Sequence, residues 1–325
     1  MNLLISTNMY TIGRLSMVLK YLSEFQGKAG VEVFPLYHDP AYEKELEACI
    51  PEFSKVPISF HGPYYETEHS APKGSEACEQ AMKFIRQTVS DCVRLNSKYV
   101  VFHHNNCRVS AEEKRTMIKN SCENYRELQN MFAEHDIPVV VENAGVIDRG
   151  NMMFDQAEFT ELCKKEKYPV LIDIGHAHAN GWDLSGLIHD LKDQIVAYHI
   201  HNNDGLHDSH RRIHDGTLDF DRFVHDYMEN TPDADIVLEY SPEVSSDEEG
   251  IRSDLSELVR IFSPCGREES HACRYKAVSS GYRRDCMPRG PADRWRGRIS
   301  LCDQKVGRTV CVHHKQLDER CRGLY

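Results

Sequence analysis

Eight short runs rich in β-branched residues recur along the first 262 residues: Leu3–Ser6, Val31–Pro35, Val56–His61, Tyr99–His103, Pro138–Glu142, Pro169–Asp173, Ile195–His201 and Asp235–Glu239. Their last residues fall at 6, 35, 61, 103, 142, 173, 201 and 239, so successive ends lie 26 to 42 residues apart. Such an interval accommodates a strand, a turn and a returning helix, and the segments between the runs carry the helical period. Ser75–Asn96 places Ala77, Ala81, Phe84, Ile85, Val89 and Cys92 on one stripe, and Ala111–Glu134 does the same with Met117, Ile118, Cys122, Tyr125, Leu128 and Phe132. Eight such units, closed by a last helix at Asp254–Phe262, predict an α/β fold, a (β/α)8 barrel, over residues 1–262. An open doubly wound sheet is the alternative, although no Gly-x-Gly-x-x-Gly turn follows the first run.

Polar chemistry sits at the ends of the runs. Six of them close on a residue that can ligate a metal: His61, His103, Glu142, Asp173, His201 and Glu239. In a barrel those ends converge on one mouth. Strand alternation places each on the face of an apolar residue two positions earlier, as with Val101 and His103, Val140 and Glu142, Leu171 and Asp173, or Val237 and Glu239. In the seventh run Ile195, Ala197, His199 and His201 share one face, which sets His199 a layer deeper than His201. One such His is most simply a hydrogen-bonded residue capping a strand. Six at matching ends bury charge together, at a cost that a shared cation removes. Asp173-Ile174-Gly175-His176 and Asp208-Ser209-His210 add further donors. Carboxylates with imidazoles, and no Cys in any motif, suit Mn²⁺, Zn²⁺, Co²⁺ or Mg²⁺. The stretch His199–His214 holds five His in sixteen residues, so some are bystanders: His207 and His214 are expected on the surface. His104 is expected to point outward beside His103, and His178 and His189 to face solvent from helices.

His61-Gly62-Pro63-Tyr64, Val101-Phe102-His103, Val141-Glu142-Asn143, Ile172-Asp173-Ile174-Gly175-His176, His201-x-x-Asp204, Asp208-x-His210 and Leu238-Glu239 stand in an order that resembles the xylose-isomerase-like barrel superfamily. That superfamily joins sugar phosphate isomerases and epimerases to endonuclease IV, and the resemblance spans the whole body, residues 1–262. It implies two chemistries. In ketose epimerases one divalent metal is held by two Glu, one Asp and one His, matched here by Glu142, Asp173, His201 and Glu239. The enzyme would be a metal-dependent sugar or sugar-phosphate isomerase or epimerase. Glu142 and Glu239 would remove and return the proton next to a carbonyl through a metal-stabilised cis-enediolate, with His176 orienting a hydroxyl. Tyr10, Tyr64 or Trp182 would line the pocket, and Arg211 or Arg212 would hold a phosphate. In endonuclease IV three zincs cleave abasic DNA, and the extra ligands match His61, His103, His176, Asp208 and His210. No nucleotide cofactor is implied by either chemistry.

Charge separates the two readings. Residues 1–262 carry 25 Lys+Arg against 44 Asp+Glu, whereas 263–325 carry 14 against 7. An acidic body, with Tyr65-Glu66-Thr67-Glu68-His69 after the third run, lacks the footprint of a duplex binder and favours a small carbohydrate substrate over nucleic acid. The stretch Ile213-His214-Asp215-Gly216 departs from the family pattern, with His214 where a Gly is usual. The basic tail, residues 263–325, holds six of the twelve Cys but no Cys-x-x-Cys pair, and no sustained apolar period. It reads as a poorly structured appendage, with a nucleic-acid-binding arm as the alternative; truncation after Phe262 tests whether folding needs it. No apolar run reaches the about 18 residues of a membrane helix, and the first residues have no basic region like that of a signal peptide. A cytoplasmic enzyme, monomeric or homo-oligomeric, is the expectation.

Overall fold

A computed structural model describes residues 1–262; the expectations for the tail lie outside the described residues. Eight parallel strands, β1 (Leu3–Ser6), β2 (Ala29–Val33), β3 (Ile58–His61), β4 (Val100–Phe102), β5 (Val139–Glu142), β6 (Val170–Asp173), β7 (Ile195–Ile200) and β8 (Asp235–Leu238), pair in chain order. The barrel closes through β1 on β8, with Leu4 opposite Val237. The helices are α1 (Val18–Glu24), α2 (Tyr42–Phe53), α3 (Glu76–Arg94), α4 (Lys114–Ala133), α5 (Gln156–Glu166), α6 (Ile174–Ala179), α7 (Leu184–Leu191), α8 (Phe220–Asn230) and α9 (Glu248–Phe262). Among the described residues no helix is long and apolar enough to cross a membrane.

Period-2 alternation fills the lumen. Leu4, Tyr99, Val101, Val140, Leu171, Ala197 and Val237 form one buried cluster there, and the next inward position along β4 to β8 is polar. Three predicted strand-end ligands lie one residue beyond the ladder: His103, His201 and Glu239 follow β4, β7 and β8, whereas His61, Glu142 and Asp173 are the last strand residues. Their side chains stay on the inward face, and Glu239 N still donates to Ile200 O of β7 at 3.2 Å.

The helix predicted from Ser75 begins at its cap, whereas the closing helix predicted from Asp254 starts earlier, at Glu248. Ser75 caps α3 by accepting from Cys78 N, and Asp155 forms a capping box with Glu158 on α5. The buried faces differ from the predicted stripes in register. On α3 the buried face includes Cys78, Met82 and Thr88, while Ala77 is exposed. On α4 Ser121 and Asn124 are buried in place of Ile118 and Cys122, which are half-buried. Both polar residues are there for their partners: Asn124 Nδ2 donates to His69 O at 2.8 Å and to Ala71 O at 2.9 Å, and Ser121 Oγ lies 2.9 Å from His104 Nδ1.

His104 does point away from the lumen, but into the helix layer and not into solvent, among Phe102, Tyr125, Phe154 and Tyr168. Burial pushes its pKa down to about 3, and that of the buried His69 to about 4. Both stay neutral in the fold at pH values where an unfolded His is protonated. As pH falls below about 6.5 the unfolded state takes up two protons the native state refuses. Stability therefore drops on acidification by up to about 1.4 kcal/mol per pH unit for each His. Denaturant titrations of the H104N variant between pH 7 and 4.5 should show a shallower acid slope than wild type; an equal slope removes His104 from the acid response.

Candidate metal centre

A loop residue and a strand-end residue, Asn143 and Asp173, fix the mouth here. Asn143 straps β5 to β6, its Nδ2 donating to Asp173 O at 2.9 Å and its Oδ1 accepting from Asp173 N at 2.7 Å. Asp173 Oδ1 accepts from His176 N at 2.6 Å, so Asp173 is the N-cap of α6. The Asp-x-x-His spacing is thus a capping geometry that carries His176 back over the mouth. The other oxygen, Asp173 Oδ2, lies 2.9 Å from His201 Nε2.

Three carboxylates from three strands converge below. His199 Nδ1 is 3.2 Å from Glu239 Oε2, 3.4 Å from Glu142 Oε2 and 3.8 Å from Asp173 Oδ2. On its far side His199 Nε2 lies 2.9 Å from Glu32 Oε1, and Ser59 Oγ donates to Glu32 Oε2 at 3.1 Å. Glu32 was absent from the sequence-based candidates; a single charge inside the apolar run Ala29–Val33 was the signal available.

Further imidazoles ring this centre. His61 Nδ1 is 2.7 Å from Gly62 O; a carbonyl only accepts, so Nδ1 carries the proton and Nε2 turns to Glu142 Oε2 at 3.7 Å. His103 Nε2 is 2.9 Å from Glu142 Oε2, with Asn106 Oδ1 3.0 Å from its Nδ1. His210 Nδ1 faces Glu239 O at 3.0 Å and its Nε2 faces Asp208 Oδ1 at 3.0 Å. His176 spans Glu142 Oε1 (3.2 Å) and Asp208 Oδ2 (3.5 Å). The donors fall into overlapping groups, among them Asp173, His201 and Glu239; His61, His103 and Glu142; and His176, His201, Asp208 and His210, with ligand atoms in each within 4.8 Å of one another.

This donor set fits a divalent ion. The buried Nδ1 atoms of His176, His199 and His201 have no hydrogen-bond partner, and those of His176 and His199 face carboxylate oxygens, His176 Nδ1 3.2 Å from Glu142 Oε1 and His199 Nδ1 3.2 Å from Glu239 Oε2. Burial pushes the carboxyls up, and the surrounding imidazoles more than reverse it: Glu142 and Asp208 are held well below the usual range and Asp173 falls to about 2. Burial likewise pushes the imidazoles down and the carboxylates reverse that, leaving His61, His176 and His199 above their ordinary value and His210 at about 9.

Above the centre opens a cavity of about 530 Å³ whose lining includes Tyr64 and Arg211 from the sequence prediction, with Phe34, Tyr65, Arg149 and Glu243, which it missed. Tyr65 and Arg149 come from loops whose course no periodicity reveals, Glu243 from a short 3-10 helix at Pro242–Ser246, and Phe34 from just beyond the end of β2. Trp182 is not part of the lining: the six-residue α6 carries it outward, where it packs on Phe159 of α5 at a ring distance of 6.1 Å. Tyr10 also lies off the cavity, buried near Tyr21 and Glu248. Arg212 faces away from the mouth. Its Nε and Nη2 donate to the two oxygens of the buried Asp254 at 2.8 Å each, and Tyr240 OH donates to the same carboxylate at 2.8 Å. Arg212→Ala leaves that carboxylate without a cation and is expected to cost about 3 kcal/mol of stability in denaturant unfolding; a loss below about 1 kcal/mol speaks against a structural pairing. His189, His207 and His214 are exposed as expected, the latter two paired with Asp204 and Glu257, whereas His178 is half-buried against Thr217.

Comparison with known proteins agrees with this architecture. A solved D-tagatose 3-epimerase-like protein superposes with a TM-score of 0.64 at 19% identity, covering 80% of this chain and 98% of that one. IOLI protein with a bound zinc atom gives 0.62 at 20% identity over 81% and 98% of the two chains. AP endonuclease, family 2, from Brucella melitensis gives 0.59 at 16% identity over 75% and 95%. At these identities the likeness shows the fold alone. Among curated sequences, the uncharacterized protein MJ1614 of Methanocaldococcus jannaschii is 23% identical over 146 residues, 45% of this chain and 56% of that protein, so the match spans little more than half of that relative. The family model of xylose isomerase-like TIM barrels matches residues 20–261, nearly the whole closed barrel, and the chain belongs to that family.

Proposed function

We propose that this protein is a divalent-metal-dependent isomerase or epimerase of a sugar or sugar phosphate. The observation that carries the reading is the convergence of Glu142, Asp173 and Glu239 around the buried His199 Nδ1, with His201 Nε2 2.9 Å from Asp173 Oδ2, below a cavity sized for a small polar molecule. Glu142, Asp173, His201 and Glu239 hold the ion. When bound, the ion, Mn²⁺, Zn²⁺, Co²⁺ or Mg²⁺, supplies positive charge that lowers the energy of a cis-enediolate. Glu142 is an anion at neutral pH and serves as a base toward the carbon next to the carbonyl. Glu239, three strands further around the ring, gives a proton of its own to that carbon from another side, and exchange with solvent then resets both carboxyl groups. His176 orients a substrate hydroxyl, Tyr64 walls the cavity and Arg211 holds an anionic group at its rim.

The similar solved structures include an epimerase-like protein, a zinc-bound protein and an AP endonuclease, so abasic-site cleavage is the second reading. What favours it is the occupancy of the two flanking donor groups around His61 and His210. Against it stands the acidic body, 44 Asp+Glu to 25 Lys+Arg, which repels a polyanion. One experiment separates them: purified protein with each metal, assayed on a panel of free and phosphorylated ketoses in deuterated water and on an abasic-site duplex. Deuterium entry at a sugar carbon supports the proposal; strand scission without sugar exchange overturns it.

A further inference from the structure

The outer donor group, His176, His201, Asp208 and His210, differs from the inner one in having a single carboxylate, and that carboxylate already carries a cation. Arg149, in the loop after β5, sets Nη1 3.0 Å from Asp208 Oδ2 and donates from Nη2 to Asp208 O at 2.7 Å. A guanidinium fork thus grips the side chain and the backbone of one residue, a two-point hold that an ammonium group cannot copy in geometry. Asp208 is 3% exposed at its side chain while Arg149 is 48% exposed, so the guanidinium plugs the group from the solvent side. Imidazoles stand at the other faces of Asp208, His210 Nε2 3.0 Å from Oδ1 and His176 Nε2 3.5 Å from Oδ2, while the buried Oδ1 itself has no hydrogen-bond partner.

An ion entering this group has to take Asp208 from Arg149 and then sit a few ångströms from a fixed positive charge, with one carboxylate to offset both. The inner group has the opposite balance. Glu142, Asp173 and Glu239 converge there, and among the described residues no Lys or Arg pairs with any of them. We propose that Arg149 is a built-in cation that keeps a metal ion out of the outer group, confining metal to the inner side of the mouth and leaving His176, Asp208 and His210 to bind substrate. The proposal rests on the reading of the strand-end carboxylates as a metal centre.

The test is Zn²⁺ uptake per chain, by equilibrium dialysis with metal analysis, for the full-length wild type, Arg149→Ala, Arg149→Lys and the double variant Arg149→Ala/Asp208→Asn. Thiols elsewhere contribute equally to all four and cancel in the differences. Arg149→Ala should bind one more Zn²⁺ than wild type, with Arg149→Gln as the second neutral variant should the alanine variant not fold. Arg149→Lys keeps the charge and should gain none, and the double variant should return to the wild-type count. Equal uptake by wild type and both neutral variants overturns the proposal, as does a wild-type ion that Asp208→Asn alone removes. Failure of the metal-centre reading has a separate mark: Glu239→Gln would then bind as much Zn²⁺ as wild type.

Discussion

Glu142→Gln and Glu239→Gln should each lower proton exchange at the substrate carbon at least about a thousandfold at saturating metal, the upper part of the range for removing a general base. Gln keeps the size of the side chain, and its amide can still hydrogen-bond His103 Nε2, now 2.9 Å from Glu142 Oε2, so the fold is expected to survive. What disappears is the negative charge that takes the proton. Burial works against that charge, and His103 and His199 hold Glu142 well below the usual carboxylate range in spite of it. The amide variant thus loses an anion that the surrounding imidazoles are arranged to keep. The measurement is deuterium incorporation set beside turnover for each variant, at metal concentrations shown to be saturating. Full exchange in both variants removes these residues from proton transfer.

Gly175→Ala should weaken metal binding about a hundredfold. Gly175 follows Ile174 at the start of α6, and a Cβ there overlaps the His201 ring, 2.7 Å from Nε2 and nearer still to Cε1 and Nδ1. The residue is helical, so Ala suits its backbone and by propensity alone is worth up to about 1 kcal/mol in favour of the fold. The only penalty is the shove on the imidazole. His201 cannot retreat freely, because His210 stacks on it at a ring distance of 3.8 Å. Calorimetric metal titration of the apo variant, with circular dichroism to confirm folding, checks this. Unchanged affinity in a folded variant would mean that His201 is not a ligand.

The barrel was legible because its signal is repeated eight times: runs such as Val139–Glu142 and Val170–Asp173 are buried on both faces, so their apolar content marks them with no tertiary information. Strand alternation then placed Glu142, Asp173 and His201 inward. Residues on loops were a different matter. Arg149 and Tyr65 reach the cavity through turns fixed by side-chain bonds, such as Val146 N donating to Asn151 Oδ1 at 2.9 Å, and nothing periodic reports those. Trp182 was misplaced because a large aromatic near a ligand motif suggests a pocket wall, whereas α6 is long enough to turn it onto α5. His104 shows the same limit in reverse: alternation gave its direction, and only the presence of α4 made that direction buried.

Asp173 has two employments that use different oxygens of one carboxylate. Oδ1 starts α6 by accepting from His176 N at 2.6 Å, and Oδ2 faces His201 Nε2 at 2.9 Å. Evolution therefore cannot retune the ion's affinity here without also redrawing the turn that delivers His176. Asn preserves the cap and surrenders the charge, Glu preserves the charge and overshoots the cap, and Ser keeps only the turn. A lineage drifting toward a new metal or reaction is steered to Glu142, Glu239 or the loops instead. This position is left as the fixed reference from which the mouth is rebuilt.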